Sequence, residues 1–259
     1  MAVPLDPTKY ESSPFFHPAD FIGYIRGLGR LGPLPPPEAV ILSYQRSLFD
    51  FACERYPTTA PEGYFSNELR YLDGSDGRVA IAGRFGVGSP AAAVMLEELI
   101  AFGVRRFVSV GTAGSLRADL SPGSLVLCTS AFRDEGTSYH YIPGGAPVLP
   151  SEVLSERLGR ALAARGLAFR KGPAWTTDAI YRETAEEVIK LREQGALVVE
   201  MEAAALFAVA RFRAASIAAC FSVSDSLAEL SWRPEFHSET TTEGLEKLFA
   251  AAYDTLLEP

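Results

Sequence analysis

Cysteine and histidine are both scarce, three of each in 259 residues. Cys53, Cys128 and Cys220 are scattered, with no CxxC pair. That argues against a disulfide framework or a zinc site and suits structural thiols in a reducing cytosol. The histidines form no HExxH motif, so no metal site is expected. Positive charge is short as well: 24 Lys and Arg face 32 Asp and Glu, a net charge of −8. This balance disfavours a nucleic-acid partner but leaves small phosphorylated or sugar-bearing ligands open. No window approaches the roughly 18 consecutive apolar residues of a membrane span. The opening "MAVPLDPTKYESSPFF" has no basic segment followed by an apolar core, so it does not read as a signal peptide. A cytoplasmic protein with no membrane partner is the expectation.

Against these absences, the composition is that of an ordinary globular chain, 47% hydrophobic and 22% charged. Residues 1–37 are rich in Pro, Gly and aromatics, end in "GPLPPP", and read as an irregular N-terminal arm. Residues 38–259 read as one α/β domain. From residue 78, short β-like runs alternate with helix-like runs: "RVAIAG" (78–83), "VRRFVSVG" (104–111), "SLVLCTSAF" (124–132), "ALVVEM" and "ASIAACFSVS" (215–224) as strands. The intervening helices include "SPAAAVMLEELIAFG" (89–103), with Ser89 as expected N-cap, and "TAEEVIKLREQG" (184–195), with a Thr184/Glu187 capping box. The expected fold is α/β: a single three-layer domain with a central mixed, largely parallel twisted sheet flanked by helices. Active sites in such folds lie at the carboxyl ends of strands.

Polar segments fall at those ends. "GVGSP" (86–90) opens a helix whose N-terminal N–H groups suit an anion. It lacks the third glycine of a dinucleotide fingerprint, and "GTAGS" (111–115) lacks the Gly-Lys-Ser/Thr ending of a Walker loop. In "VVEME" (198–202), Glu200 and Glu202 sit in an apolar run, and period two points both to one side if the strand continues through them. Two carboxylates on one face can accept hydrogen bonds from vicinal hydroxyls; pairing of one of them with an arginine in the core or at a subunit interface is the plainer alternative. "FSVSDSL" places Asp225 just past an apolar strand, either as a general acid shifted by burial or as a helix N-cap.

Taken together and in order, "VGTAGSL", "RDEGTSYHY", "WTTDAIY", "VVEMEAAALF" and "VSDS" resemble the nucleoside phosphorylase family, which contains uridine phosphorylase, hexameric purine nucleoside phosphorylase and methylthioadenosine nucleosidase. The resemblance covers about residues 78–230. It implies that Glu202, with Met201 under the sugar and Glu200 nearby, holds ribose, and that Asp225 is the general acid that protonates the leaving base. It places Thr112, Gly86 and Gly111 near phosphate or ribose, and Thr177, Ile180, Tyr181 and Gly114 around the base. It implies no metal or organic cofactor, with inorganic phosphate as co-substrate, and a homo-oligomer (dimer, trimer or hexamer).

Two departures from the family pattern matter. Phosphorolytic members carry an arginine where this chain has Ser109, and a glycine-rich loop with an arginine where it reads "AVILSYQRSLFD". Arg84 and Arg46 are candidate replacements, because guanidinium groups match phosphate bidentately; an ion pair of Arg84 with Glu202 or Asp225 is the competing reading. No Gln-x-Arg pair follows "TTDAIY" to read uracil, which with Asp225 favours a purine. The function expected from the resemblance is phosphorolysis of a purine-type nucleoside, in nucleoside salvage, to free base and ribose 1-phosphate. Hydrolysis of the same bond, and non-catalytic nucleoside binding, are the rivals.

Overall fold

Strand β1 (Ala39–Ser43) is apolar at nearly every position and wholly buried, as expected of a strand covered on both faces. Its side chains show how the layers are built. Val40 and Leu42 enter one apolar cluster, with Leu96, Leu99, Leu206 and Phe207. Ala39 and Ile41 enter the opposite one, with Leu158, Leu162, Leu248 and Phe249. Alternation with period two therefore feeds two cores on either side of one sheet. The computed structural model describes residues 6–258; Met1–Leu5, the start of the expected arm and of the segment read as lacking a signal peptide, and Pro259 lie outside them.

The other strands are β2 (Thr58–Thr59), β3 (Leu69–Leu72), β4 (Val79–Ala82), β5 (Arg106–Ser115), β6 (Leu125–Asp134), β7 (Phe169–Thr177), β8 (Val198–Glu200), β9 (Ser216–Ser226) and β10 (Arg233–Pro234). The helices are α1 (Pro18–Gly27), α2 (Arg46–Arg55), α3 (Ser89–Phe102), α4 (Glu152–Ala164), α5 (Ala185–Glu193), α6 (Ala203–Phe212) and α7 (Glu239–Leu257). The strands form one sheet in the order β10-β9-β6-β7-β8-β5-β1-β4-β3-β2, and β5 also pairs with β9. That extra pairing closes β5, β9, β6, β7 and β8 on themselves, a closure that strand propensities do not foretell because it depends on which distant edges meet. Pairs β1–β4, β1–β5, β5–β9, β6–β7 and β7–β8 are parallel, and β6–β9 and β5–β8 are antiparallel. The sheet is thus mixed, with its long central ladders parallel, and helices lie on both sides. Among the described residues no helix is long and apolar enough to cross a membrane.

Several local expectations shift. The Thr184/Glu187 capping box forms as read. Ser89 is not the N-cap of α3; Gly88 is, at φ 91. The Ser89 hydroxyl donates instead to the Met201 carbonyl at 2.7 Å. The strand read over 104–111 does not stop at Gly111: "GTAGS" is the end of β5, because β8 and β9 supply ladder partners through Gly114 and Ser115. The segment read as an irregular arm contains α1, which buries Ile22 and Ile25; the spacing of three between them puts both on one helix face.

A bridge between Leu31 and Gly63 ties the end of that segment to the domain. Gly63 has φ +78, and a Cβ there would lie 2.0 Å from the Arg30 carbonyl oxygen. Gly63→Ala is expected to cost about 1–3 kcal/mol, read as a lower urea midpoint. An unchanged midpoint would show that the N-terminal segment contributes nothing to global stability.

Candidate active site

Strand β8 ends at Glu200, and Glu202 is already the N-cap of α6. The two glutamates therefore do not share a strand face, and they do different work. Glu200, 6% exposed, accepts hydrogen bonds from the backbone N–H groups of Glu202 and Ala203, each at 2.8 Å, and from the Thr176 hydroxyl. Thr176 in turn accepts from Ala204 N–H at 3.0 Å. These bonds satisfy donors that a buried helix N-terminus would otherwise leave unpaired.

Glu202, 7% exposed, accepts from the Gly88 N–H at 2.5 Å. Its carboxylate thus faces the turn that opens α3. Met201 lies against the same turn, its Cε 3.8 Å from where a Gly88 Cβ would stand. Asp225 lies within β9 rather than past it, opposite Gly114 and next to a bulge in β9 that leaves Ser224 unpaired in the ladder. It is 7% exposed and accepts from the Ser224 hydroxyl at 2.8 Å and from Trp232 Nε1–H at 3.0 Å. A Cβ on Gly114 would stand 3.1 Å from Asp225 Oδ2, so glycine there leaves room for the carboxyl. Among the described residues no Lys or Arg forms an ion pair with Glu200, Glu202 or Asp225.

Burial without a cation sets the protonation. Burial raises the Glu200 carboxyl above its ordinary range, opposed by its Thr176 and backbone donors. Burial and then the Glu200 charge raise Glu202, against the Gly88 and Met201 N–H groups. Burial also raises Asp225, which Ser224 and Trp232 oppose. Glu183 is pushed up to about 7 by burial first and by the charges of Asp225 and Glu187 next.

The remaining candidates are placed as follows. Gly86, at φ +101, lies in the turn before α3. Thr112 accepts from Gln45 Nε2 at 2.8 Å. Thr177 is buried, and its hydroxyl accepts from Ala179 N–H. Ile180 and Tyr181 lie on a short turn after β7, 44% and 94% exposed. Arg84 is joined to neither Glu202 nor Asp225: it pairs with Asp50 at 2.5 Å and lies over the Phe49 ring. Arg46, the first residue of α2, is exposed. Sequence reasoning missed Tyr44, whose hydroxyl lies 2.9 Å from Ser109 Oγ, as well as Gln45, Thr176, Ser224 and Trp232. Of these only Trp232 stood outside the segments already singled out; Tyr44 and Gln45 lie in "AVILSYQRSLFD", where the sequence showed a departure but no role. Also missed was Glu135, buried with Oε1 unpartnered among the described residues.

The model of the family described as "Phosphorylase superfamily" matches residues 42–257. The chain belongs to the phosphorylase superfamily. A DeoD-type purine nucleoside phosphorylase from Bacillus cytotoxicus is 30% identical over 184 residues, 70% of this chain and 74% of that protein. A guanosine phosphorylase from Halorubrum lacusprofundi is 39% identical over 127 residues, 49% of this chain. That match spans about half of the Halorubrum protein, 52%. Among solved structures, AMP nucleosidase from Bacteroides thetaiotaomicron superposes with a TM-score of 0.71 at 23% identity, over 92% of this chain and 96% of that one. At that identity the likeness is one of fold.

A carboxyl raised on folding holds its proton more tightly folded than unfolded. Its contribution is full below the ordinary value, 4.5 for glutamate, and is lost as pH rises through the raised value. Glu200, Glu202, Asp225 and Glu183 all carry this sign. Ligand-free protein is therefore expected to have a higher Tm near about pH 5 than near about pH 8, and Glu202→Gln to flatten the slope. A Tm that climbs over this window would contradict the assignment of raised carboxyls.

Proposed function

We propose that this member of the superfamily cleaves the N-glycosidic bond of a purine-type nucleoside. The observation that carries the reading is the pair of buried carboxyls, Glu202 and Asp225, held at a helix N-cap and near a strand end with no ion-pair partner among the described residues. A buried carboxylate without a cation needs hydrogen-bond donors, and vicinal ribose hydroxyls supply two for Glu202. Asp225, raised by burial, is suited to give a proton to N7 of the purine as the C1′–N9 bond breaks and its electron pair moves to the base. Met201 packs beneath the sugar, and Gly114 leaves Asp225 its space. Gly86 borders the sugar side, and Thr177, Ile180 and Tyr181 border the base. The names of the curated relatives support the purine.

Two acceptors are compatible with this arrangement. Phosphate, giving ribose 1-phosphate, is supported by the phosphorylase names of those relatives; Gly86, Thr112, Arg84 and Arg46 are the residues it could use. Water is favoured by Ser109 in place of an arginine and by the pairing of Arg84 with Asp50. Neither route calls for a metal or an organic cofactor, since positioning and stabilisation of charge at the leaving base supply the acceleration. We also propose a homo-oligomer. Phe15, Phe16, Tyr24 and Phe212 expose large aromatic surface, and such surface marks association. Sedimentation velocity should give a mass above one chain's 28.0 kDa; a monomer at micromolar concentration would remove that proposal.

Asp225→Asn keeps the hydrogen-bonding shape but cannot give up a proton in the same way. It is expected to lower kcat for purine nucleosides roughly 10²–10⁴-fold with a small change in KM, measured by base release. Full activity in the folded variant would mean that the base leaves without this acid.

A further inference from the structure

The two departures from the family pattern are 65 residues apart in sequence and touch in the fold. Ser109 stands where an arginine is expected, and Tyr44 comes from the segment where a glycine-rich loop is expected. Their hydroxyl oxygens are 2.9 Å apart. The Tyr44 ring packs edge-on against Phe85, with centroids 5.6 Å apart. A Cβ on Gly111 would lie 3.2 Å from Tyr44 Cδ2. The space between the end of β1 and the middle of β5 is thus filled by a phenol. Burial and the negative charges of Glu202 and Glu200 hold that phenol neutral. An incoming dianion would meet an aromatic ring, a neutral hydroxyl and the field of two carboxyl groups, whereas the Arg84 guanidinium is bound to Asp50 at 2.5 Å.

The next residue offers something different. Gln45 Nε2 donates to Thr112 Oγ1 at 2.8 Å, while Gln45 Oε1 is buried with no hydrogen-bond partner among the described residues. Thr112 accepts this bond and retains its own hydroxyl proton. A free acceptor and a free donor on two bonded side chains match a water molecule, which needs both; a phosphate dianion, an acceptor throughout, would be repelled by the carbonyl oxygen. Gln45 follows the carboxyl end of β1, and Thr112 lies on β5, its parallel neighbour, the strand that also carries Gly114 opposite Asp225.

We propose that Tyr44 closes the anion subsite and that Gln45 Oε1 and the Thr112 hydroxyl hold the water that captures the ribosyl group. The inference rests on the cleavage reading and chooses its acceptor. The C1′–N9 bond breaks with its electron pair passing to the purine, which takes a proton on N7 from Asp225. The water oxygen forms the bond to C1′ and its surplus proton leaves to solvent, from which Asp225 is reprotonated. Nucleoside and water give ribose and free base.

The test follows base release from inosine, guanosine and adenosine with and without inorganic phosphate, and identifies the sugar by phosphorus NMR and reducing-sugar assay. Equal rates and free ribose are expected. Gln45→Leu and Thr112→Val should each lower kcat by about tenfold or more with little change in nucleoside KM. With added methanol, Gln45→Ala should raise the ratio of methyl riboside to ribose, because it opens the place that water occupies. A merely structural role for Gln45 would leave that ratio alone. Saturable stimulation of the wild-type protein by phosphate, with ribose 1-phosphate as product, would overturn the inference whatever the variants do. Folded variants with wild-type kcat and an unmoved methanol ratio would overturn the role of Gln45 and Thr112. Failure to release base from any nucleoside is a separate result; it would remove the cleavage reading and this inference with it.

Discussion

The carboxylate of Glu200 fixes the turn on which the site is built. It ends β8 and takes up the backbone N–H groups of Glu202 and Ala203 at the strand-to-helix junction, with Thr176 bracing it from β7. A helix that starts inside a protein has no water to satisfy those donors, so some buried acceptor is obligatory. With the junction held, Glu202 is set at the N-cap of α6 and reaches Gly88, the N-cap of α3. Two helix N-termini converge on two carboxyl groups, and their positive ends offset part of the cost of placing acids where no cation follows.

That convergence explains the small residues around it. α6 is packed on all sides, with Ala203, Ala204, Ala205, Ala208 and Ala210 buried, and it lies beside α3 in the same core. Larger side chains would push the α6 N-terminus away from Gly88. On the far side Gly114 leaves room for Asp225, which is bonded by Ser224 and by Trp232 from beyond β9. Glu202 is thus carried by a helix junction and Asp225 by a strand bulge, so the two sit in environments with different donors.

The electrostatic character of the site follows from what is absent beside the acids. Beside buried carboxyls with no cation partner among the described residues, hydroxyl and N–H donors of a neutral ligand are stabilised and an anion is not. The phenol at Tyr44 and the hydroxyl at Ser109 extend the same character to the end of β1. This is the physical difference between the chain and the arginine-bearing pattern it otherwise resembles.

Local pattern determined much of this protein: the alternation of strands and helices and the capping box of α5. Those features depend on neighbours within a turn or two, where periodicity and capping chemistry act. Tertiary structure alone decided the rest. "GTAGS" is strand because β8 and β9 complete its hydrogen bonds; Ser89 serves Met201, 112 residues away, rather than its own helix. Arg84 turns to Asp50, and Tyr44 meets Ser109 across 65 residues. A side chain's partner across such separations is set by how the sheet closes, and no local spacing carries that information.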